Sequence, residues 1–405
     1  MGERRMKIID LFCGTGGFSR GFEDASGFEV VFGIDLLAAS VETFRLNHPH
    51  ALGLATDIRT FTPARAGDEL RLGPGDVDLI VGGPPCQGFS SIRPNRSSEA
   101  DDPRNSLFEE FARYVEHFRP RMFVLENVVG LATHKQGKTL ALTQEAFDQV
   151  GYDTDWRILN AAHFGVPQRR ERLIMIGTER GGPLSFPDPT HHSESVGRTI
   201  GVRDRSRMHG AGLSSQPSLF DGPRESLPFL PAVTVADAID DLPLIASGEE
   251  ATVYDRPTRT VFQADRRKGL HQLALHESTR HTDRMLEIIR HSGPNISSIP
   301  GGLITSGFSS SYSRLAGDEP SVTITVNFVH PASNRCVHPT LDRALTPREG
   351  ARLQSFDDDF RFAGNRAQIT KQIGNAVPPL LGKTIGAHLA KLISGSAMTA
   401  ARQAA

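Results

Sequence analysis

The chain has 405 residues, 38% of them hydrophobic, and a formal net charge of -2, so it is long enough for two domains and any basic surface must be local. Its three cysteines, Cys13, Cys86 and Cys336, are far apart and form no CxxC pair, which argues against a disulfide framework or a metal site and for a reducing, cytoplasmic compartment. No apolar leader and no run of about 18 apolar residues is present, so neither secretion nor a membrane span is expected.

The first predicted strand, Lys7 to Phe12, runs into Cys13-Gly14-Thr15-Gly16-Gly17 and then a helical segment from Phe18. A strand, a glycine-rich turn and a helix N-terminus make a nucleotide-type cradle, because glycines admit a ligand close to the backbone and the helix end offers free N–H groups. The dinucleotide fingerprint fails on spacing, since its third glycine falls on Ser19. A second strand from Glu29 to Ile34 ends on Asp35, placed to accept two ribose hydroxyls, and Asp57 follows one alternation later, placed for an adenine amino group. Each alone reads more readily as a capping or turn aspartate. Together with Asp10, they stand at three successive strand ends and favour an adenosine ligand.

Asp78-Leu79-Ile80-Val81 is a short buried strand closed by Gly82-Gly83-Pro84-Pro85, which delivers Cys86 on a rigid turn before Gln87-Gly88-Phe89-Ser90. Isolated cysteines are more often inert core residues. Here the prolines and glycines fill no core and hold one side chain in one pose, as a thiolate nucleophile requires. The next strand, Arg121 to Leu125, delivers Glu126-Asn127-Val128 at its carboxyl end, where ligands and catalysts collect in open α/β sheets. A glutamate closing an apolar run is partly desolvated and suits proton work, the alternative being a solvated helix-start residue. Gln168-Arg169-Arg170-Glu171-Arg172 then opens onto the strand Leu173 to Ile176, so that at least one guanidinium can reach the same pocket.

From about 178 to 232 periodicity is lost and Pro, Ser, Gly and His accumulate, which reads as linker and loops. A short helix resumes at Thr234 to Ile239. Between Arg256 and His291 eight Lys or Arg stand against four acids, with four histidines, a local excess suited to phosphates or simply to solvent. Arg343-Ala344-Leu345-Thr346-Pro347-Arg348-Glu349, Leu353-Gln354-Ser355-Phe356 and Gln372-Ile373-Gly374-Asn375-Ala376-Val377-Pro378-Pro379 follow, the last leading into an apolar helix from Leu380.

In this order the pieces resemble the DNA cytosine-5 methyltransferase family, of the bacterial modification-methylase type. DLFCGTGG at 10–17 is similar to its first motif, GGPPCQGFS to its nucleophile motif, ENV at 126–128 to its glutamate motif and QRRER at 168–172 to its arginine motif, while the stretches from Arg343 and from Gln372 resemble the ninth and tenth. The likeness covers roughly 1–180 and 320–392. One departure is Leu36, where many members place an aromatic residue beside the cofactor adenine.

The resemblance implies a doubly wound, Rossmann-like α/β methyltransferase domain over 1–185, completed by 336–395, with a smaller target-recognition region at 186–335 and a frayed tail at 396–405. It implies S-adenosylmethionine as cofactor, held by Asp10, Phe12, Gly14, Gly16, Gly17, Asp35, Leu36, Asp57, Ile58, Pro84, Asn375 and Ala376. Cys86, Glu126, Arg172 and Arg170 are the implied catalytic set, with Arg172 on the cytosine carbonyl and Arg170 supporting the pocket. Carbon 5 of cytosine is a poor nucleophile, so a thiolate must first add at carbon 6. The base must leave the duplex for this, and 90–104 reads as the loop that closes over it. Double-stranded DNA is the expected partner of a cytoplasmic monomer, with a restriction endonuclease of the same site as a further one. Two rivals remain from sequence: a transfer-RNA cytosine methyltransferase and a non-catalytic DNA-binding relative.

Overall fold

The computed structural model describes residues 4–25, 27–85, 107–192 and 229–403, with side chains to 395. Cys86 and the loop at 90–104 lie outside the described residues.

Strands β1 (Met6–Leu11), β2 (Phe28–Asp35), β3 (Leu52–Ala55), β4 (Leu79–Gly82) and β5 (Met122–Asn127) run parallel. They are joined by β6 (Tyr152–Asn160) and, after a short β7 (Gln168–Arg169), by β8 (Glu171–Glu179). The sheet order is β3-β2-β1-β4-β5-β8-β6, with β8 antiparallel to both neighbours. This is the α/β sheet that the strand-and-glycine punctuation predicts.

Because successive strand residues point to opposite faces, each strand feeds two cores. Ile9, Leu11, Ile80, Phe123 and Leu125 pack on one side with Phe111, Tyr114 and Val115 of the helix Leu107–Phe118. Ile8, Val30, Leu79, Val81 and Val124 pack on the other with Phe18 and Phe22 of α1 (Gly17–Asp24), and with Leu381, Ile385 and Leu389 of the helix Pro379–Gln403. That last helix crosses α1 at close range: a Cβ on Gly21 would strike the Pro379 carbonyl, and one on Gly382 the Phe18 carbonyl. It continues to Gln403, into the stretch from 396 for which fraying is expected.

A third core joins Val235, Ile239, Leu273, Leu315, Ile324 and Phe328 to Leu353, Phe356 and Ile373. Thr234 caps its first helix, Val235–Ile239, in a capping box with Asp237. Inside it, Arg343 meets Glu349 through two hydrogen bonds of 2.8 and 2.7 Å, and Arg352 reaches Asp358 at 2.6 Å and Asp241 at 3.1 Å. Arg343, Arg348 and Arg352 are among the largest fully buried side chains. A buried charge is tolerated only when paired, so these arginines are structural. The Glu349 carboxyl is held below the usual range by Arg343 and His338, against the opposing effect of burial, which is the largest single influence.

The basic segment is not a uniform phosphate-facing surface. Arg266 turns inward to Asp357 at 2.7 Å and to the Ser355 carbonyl at 2.9 Å, Lys268 pairs with Asp357, and Arg267 lies over the Tyr254 ring. Arg259, Arg280, Arg284 and Arg290 remain exposed.

Candidate active site

The register brings Asp10, Asp35 and the β4–β5 ends to one edge of the sheet: Leu11 pairs with Ile34 and Gly82, and Gly82 with Leu125. One step beyond lies Glu126. A Cβ on Gly83 would sit 2.8 Å from Glu126 Oε2, so glycine there lets the carboxylate lie against the backbone leading to Cys86. The Asn127 side-chain amide donates to the Pro84 carbonyl at 3.1 Å, fixing the same turn from the side.

β8 supplies the cation. Arg172 Nε lies 2.7 Å from Glu126 Oε1, with both side chains largely buried. Burial lowers the Arg172 pKa and the contact with Glu126 opposes that shift. Arg170 points elsewhere: its guanidinium donates to the carbonyls of Ile324 at 3.3 Å, Gly374 at 3.2 Å and Asn375 at 3.4 Å. It ties the arginine strand to the helix Arg366–Asn375, and it is brought to the pocket's wall rather than into contact with Glu126. Its pKa is driven well down by burial and then by Arg172.

At the adenosine end, Asp35 accepts the Gly14 N–H at 3.0 Å and the Leu37 N–H at 2.9 Å. Burial raises its pKa, and those backbone bonds oppose the rise. Asp10 is buried at the end of β1, and its Oδ2 makes no hydrogen bond. Desolvation pushes its pKa up to about 7, with Ser19 and His48 pulling the other way. The turn between them is sharply wound, with Phe12 at φ 59° and Gly14 at φ 51°. Open space lies where a Gly14 Cβ would be, whereas one on Gly16 would meet His48 and Phe44, so Gly17 begins α1 over a tightly packed turn. Leu36 is 69% exposed beside this cradle.

Asp57 and Ile58 stand apart from that arrangement. Asp57 caps the short 3-10 helix Ile58–Thr60 and holds Arg59 in a two-oxygen contact, Nε lying 3.0 and 3.1 Å from its carboxylate. That hydrogen bond lowers its pKa, and Ile58 is buried in the core. Asn375 ends its helix with Ala376 as cap, and both are placed by Arg170 and by Gln372.

Sequence reasoning missed Gln168. Its fully buried amide accepts the Ile324 N–H at 2.9 Å and donates to the Leu353 carbonyl at 3.1 Å and Gln354 Oε1 at 3.0 Å. Gln168 next to Pro167 in the arginine motif and Gln354 next to the apolar Leu353 in the ninth were the available signal. The described residues contain no group of His, Cys, Asp or Glu arranged for a metal, and no helix long and apolar enough to cross a membrane.

The sequence pattern of C-5 cytosine-specific DNA methylases matches residues 6–391. The chain belongs to this family. Type II methyltransferase M.AgeI from Thalassovita gelatinovora is 33% identical over 450 residues, spanning 96% of this chain and 100% of the relative. M1.HphI from Haemophilus parahaemolyticus is 35% identical over 392 residues, 96% and 87% of the two chains. Among solved structures, one from E. coli, described as a DNA modification methyltransferase encoded within a prophage, has a TM-score of 0.70 at 25% identity and covers 96% of this chain and 99% of its own. DNMT2 of Spodoptera frugiperda, at 13% identity and a TM-score of 0.56, shares the fold alone. As a C-5 cytosine DNA methylase the chain is a DNA (cytosine-5)-methyltransferase, and the family's methyl donor is S-adenosylmethionine. The orphaned Asp10 oxygen, the half-buried Asp35 carboxylate and the open space at Gly14 fit such a cationic nucleoside.

Proposed function

We propose that the enzyme methylates carbon 5 of a cytosine flipped out of a specific duplex sequence, with Cys86 as nucleophile. The observation that carries this reading is the Glu126–Arg172 pair, set against the Gly83-Pro84 backbone that leads to Cys86. The other two thiols are unsuited: burial drives the Cys13 pKa well up and that of Cys336 to about 12.

S-adenosylmethionine supplies a methyl group on a cationic sulfur. Asp35 would hold its ribose hydroxyls, Asp10 would face its cationic end, Phe12, Gly14, Gly16, Gly17 and Pro84 would line the cradle, Leu36 would cover the adenine, and Asn375 with Ala376 would close the far wall. Asp57 and Ile58 contribute at the adenine only if Arg59 yields its hold. On the base, Glu126 bonds ring nitrogen 3 and the exocyclic amine, and Arg172 bonds the carbonyl oxygen, both favouring the adduct as charge builds on the ring. Arg170 is a positioning residue.

Residues 1–185 and 336–395 form the catalytic part in this reading, and 186–335 reads DNA through the grooves. The names of the relatives support a modification role beside a restriction endonuclease of the same site. We place the enzyme in the cytoplasm as a monomer. No observation favours the transfer-RNA or non-catalytic readings.

Bisulfite sequencing of the DNA of a host expressing the chain tests the activity and reveals its site. Protected cytosines are expected in one sequence context, and a conversion pattern identical to that of the host without the chain would refute the function. For the cofactor, Asp35→Ala is expected to weaken S-adenosylmethionine binding by ~1–3 kcal/mol, the scale of a lost charged hydrogen bond. Calorimetry returning unchanged affinity in a folded variant would remove Asp35 from the site.

A further inference from the structure

We infer that the loop at 301–310 is the base-reading edge of the inserted region, with Phe308 as its apolar contact to the recognition sequence in duplex DNA. The inference rests on the DNA-reading role proposed above and narrows it to one loop and one side chain.

The loop is firmly rooted and its tip is bare. Ile296 donates its N–H to the Ser309 carbonyl at 2.9 Å, and Ser311, fully buried, accepts the Phe308 N–H on its hydroxyl at 3.1 Å and donates its own N–H to the Phe308 carbonyl at 2.9 Å. A Cβ on Gly307 would lie 2.6 Å from the end of the Ile296 side chain, so glycine lets the loop close onto its base. Phe308 is nevertheless 67% exposed, and Thr305, Ser306 and Ser309 around it are exposed as well.

Single exposed apolar residues are common and need no explanation. This one differs in its setting. It stands on an anchored tip, among hydroxyls that donate and accept, on a loop whose base is held by one exposed guanidinium, Arg284, suited to phosphates. Arg284, Arg290 and Arg280 are exposed on or beside the helix Asp283–Arg290, and Arg284 donates to the Leu303 carbonyl at the loop's base. Cations for the backbone, hydroxyls for base edges and an apolar group for a thymine methyl are the parts that groove reading needs.

The chain leaving the loop passes the buried Leu315 to Ser321–Val322, which pairs with Gln168–Arg169 immediately before Arg170 and Arg172. The loop is thus joined to the arginine strand through 311–322.

The test uses the full-length enzyme and a set of duplexes carrying single base-pair changes around the site found in the expression host. Phe308→Ala is expected to relax discrimination against at least one changed base pair by about tenfold or more and to raise KM for DNA. Its single-turnover rate on the cognate duplex should stay within about threefold of wild type, its melting temperature should not move, and Phe308→Leu should recover part of the discrimination. Wild-type discrimination and KM in Phe308→Ala would overturn the assignment of the loop alone. A wild-type enzyme that methylates all the duplexes equally would overturn the DNA-reading role of the inserted region and the loop with it.

Discussion

Duplex DNA carrying 5-fluorocytosine at the target position is expected to capture the enzyme covalently in the presence of S-adenosylmethionine, and Cys86→Ser is expected to abolish capture. In the proposed mechanism the thiolate would add to carbon 6, the electron pair of the ring would take the methyl group at carbon 5, and the reaction would end when the carbon-5 proton leaves and the sulfur is expelled. Fluorine cannot leave as the proton does, so the adduct persists. A serine hydroxyl at neutral pH is far less nucleophilic than a partly ionised thiol, which is why the exchange of one atom should remove the product. Denaturing gel electrophoresis reads the outcome directly. Capture by the Cys86→Ser protein would overturn the mechanism, and capture on RNA in place of DNA would overturn the substrate.

Glu126→Gln should slow single-turnover methylation by about two to four orders of magnitude while DNA affinity changes by no more than a few-fold. The substitution keeps the size of the side chain and removes its charge and its proton, leaving Arg172 without a charged partner at 2.7 Å and ring nitrogen 3 without the proton that favours thiolate addition. Since an unpaired buried cation also costs stability, the melting temperature must be followed in parallel. Rapid-quench kinetics on a folded variant decide the matter. Near wild-type turnover would show that another group stabilises the ring.

Much of the frame was legible because it depends on local chemistry. Apolar runs of four to six residues marked β1, β4 and β5, and the residues at or just past their carboxyl ends, Asp10, Gly83 and Glu126, stand where an α/β sheet puts them. What those side chains touch depends on distant segments, and there sequence reasoning ran out. Asp57 turns to Arg59, two positions away, and nothing in the pattern distinguishes that from a ligand contact. Arg343, Arg348 and Arg352 are charged residues whose partners, Glu349, Asp358 and Asp241, become visible only when the third core is assembled. The same holds for Arg266, which composition alone assigned to a basic surface. Gln168 and Arg170 act through backbone carbonyls, and a carbonyl has no sequence signature at all.

The glycine-tight crossing of α1 by the helix Pro379–Gln403 joins the first helix made to the last. At about 5–20 residues per second, ribosomal synthesis separates the two by roughly 20–70 seconds. Throughout that interval the side of α1 that carries Gly21 lacks the helix it packs on, while Phe18 and Phe22 have the sheet alone for a neighbour, and the wall at Asn375 does not exist. A chain that stops before Pro379 is therefore expected to leave that side of α1 uncovered.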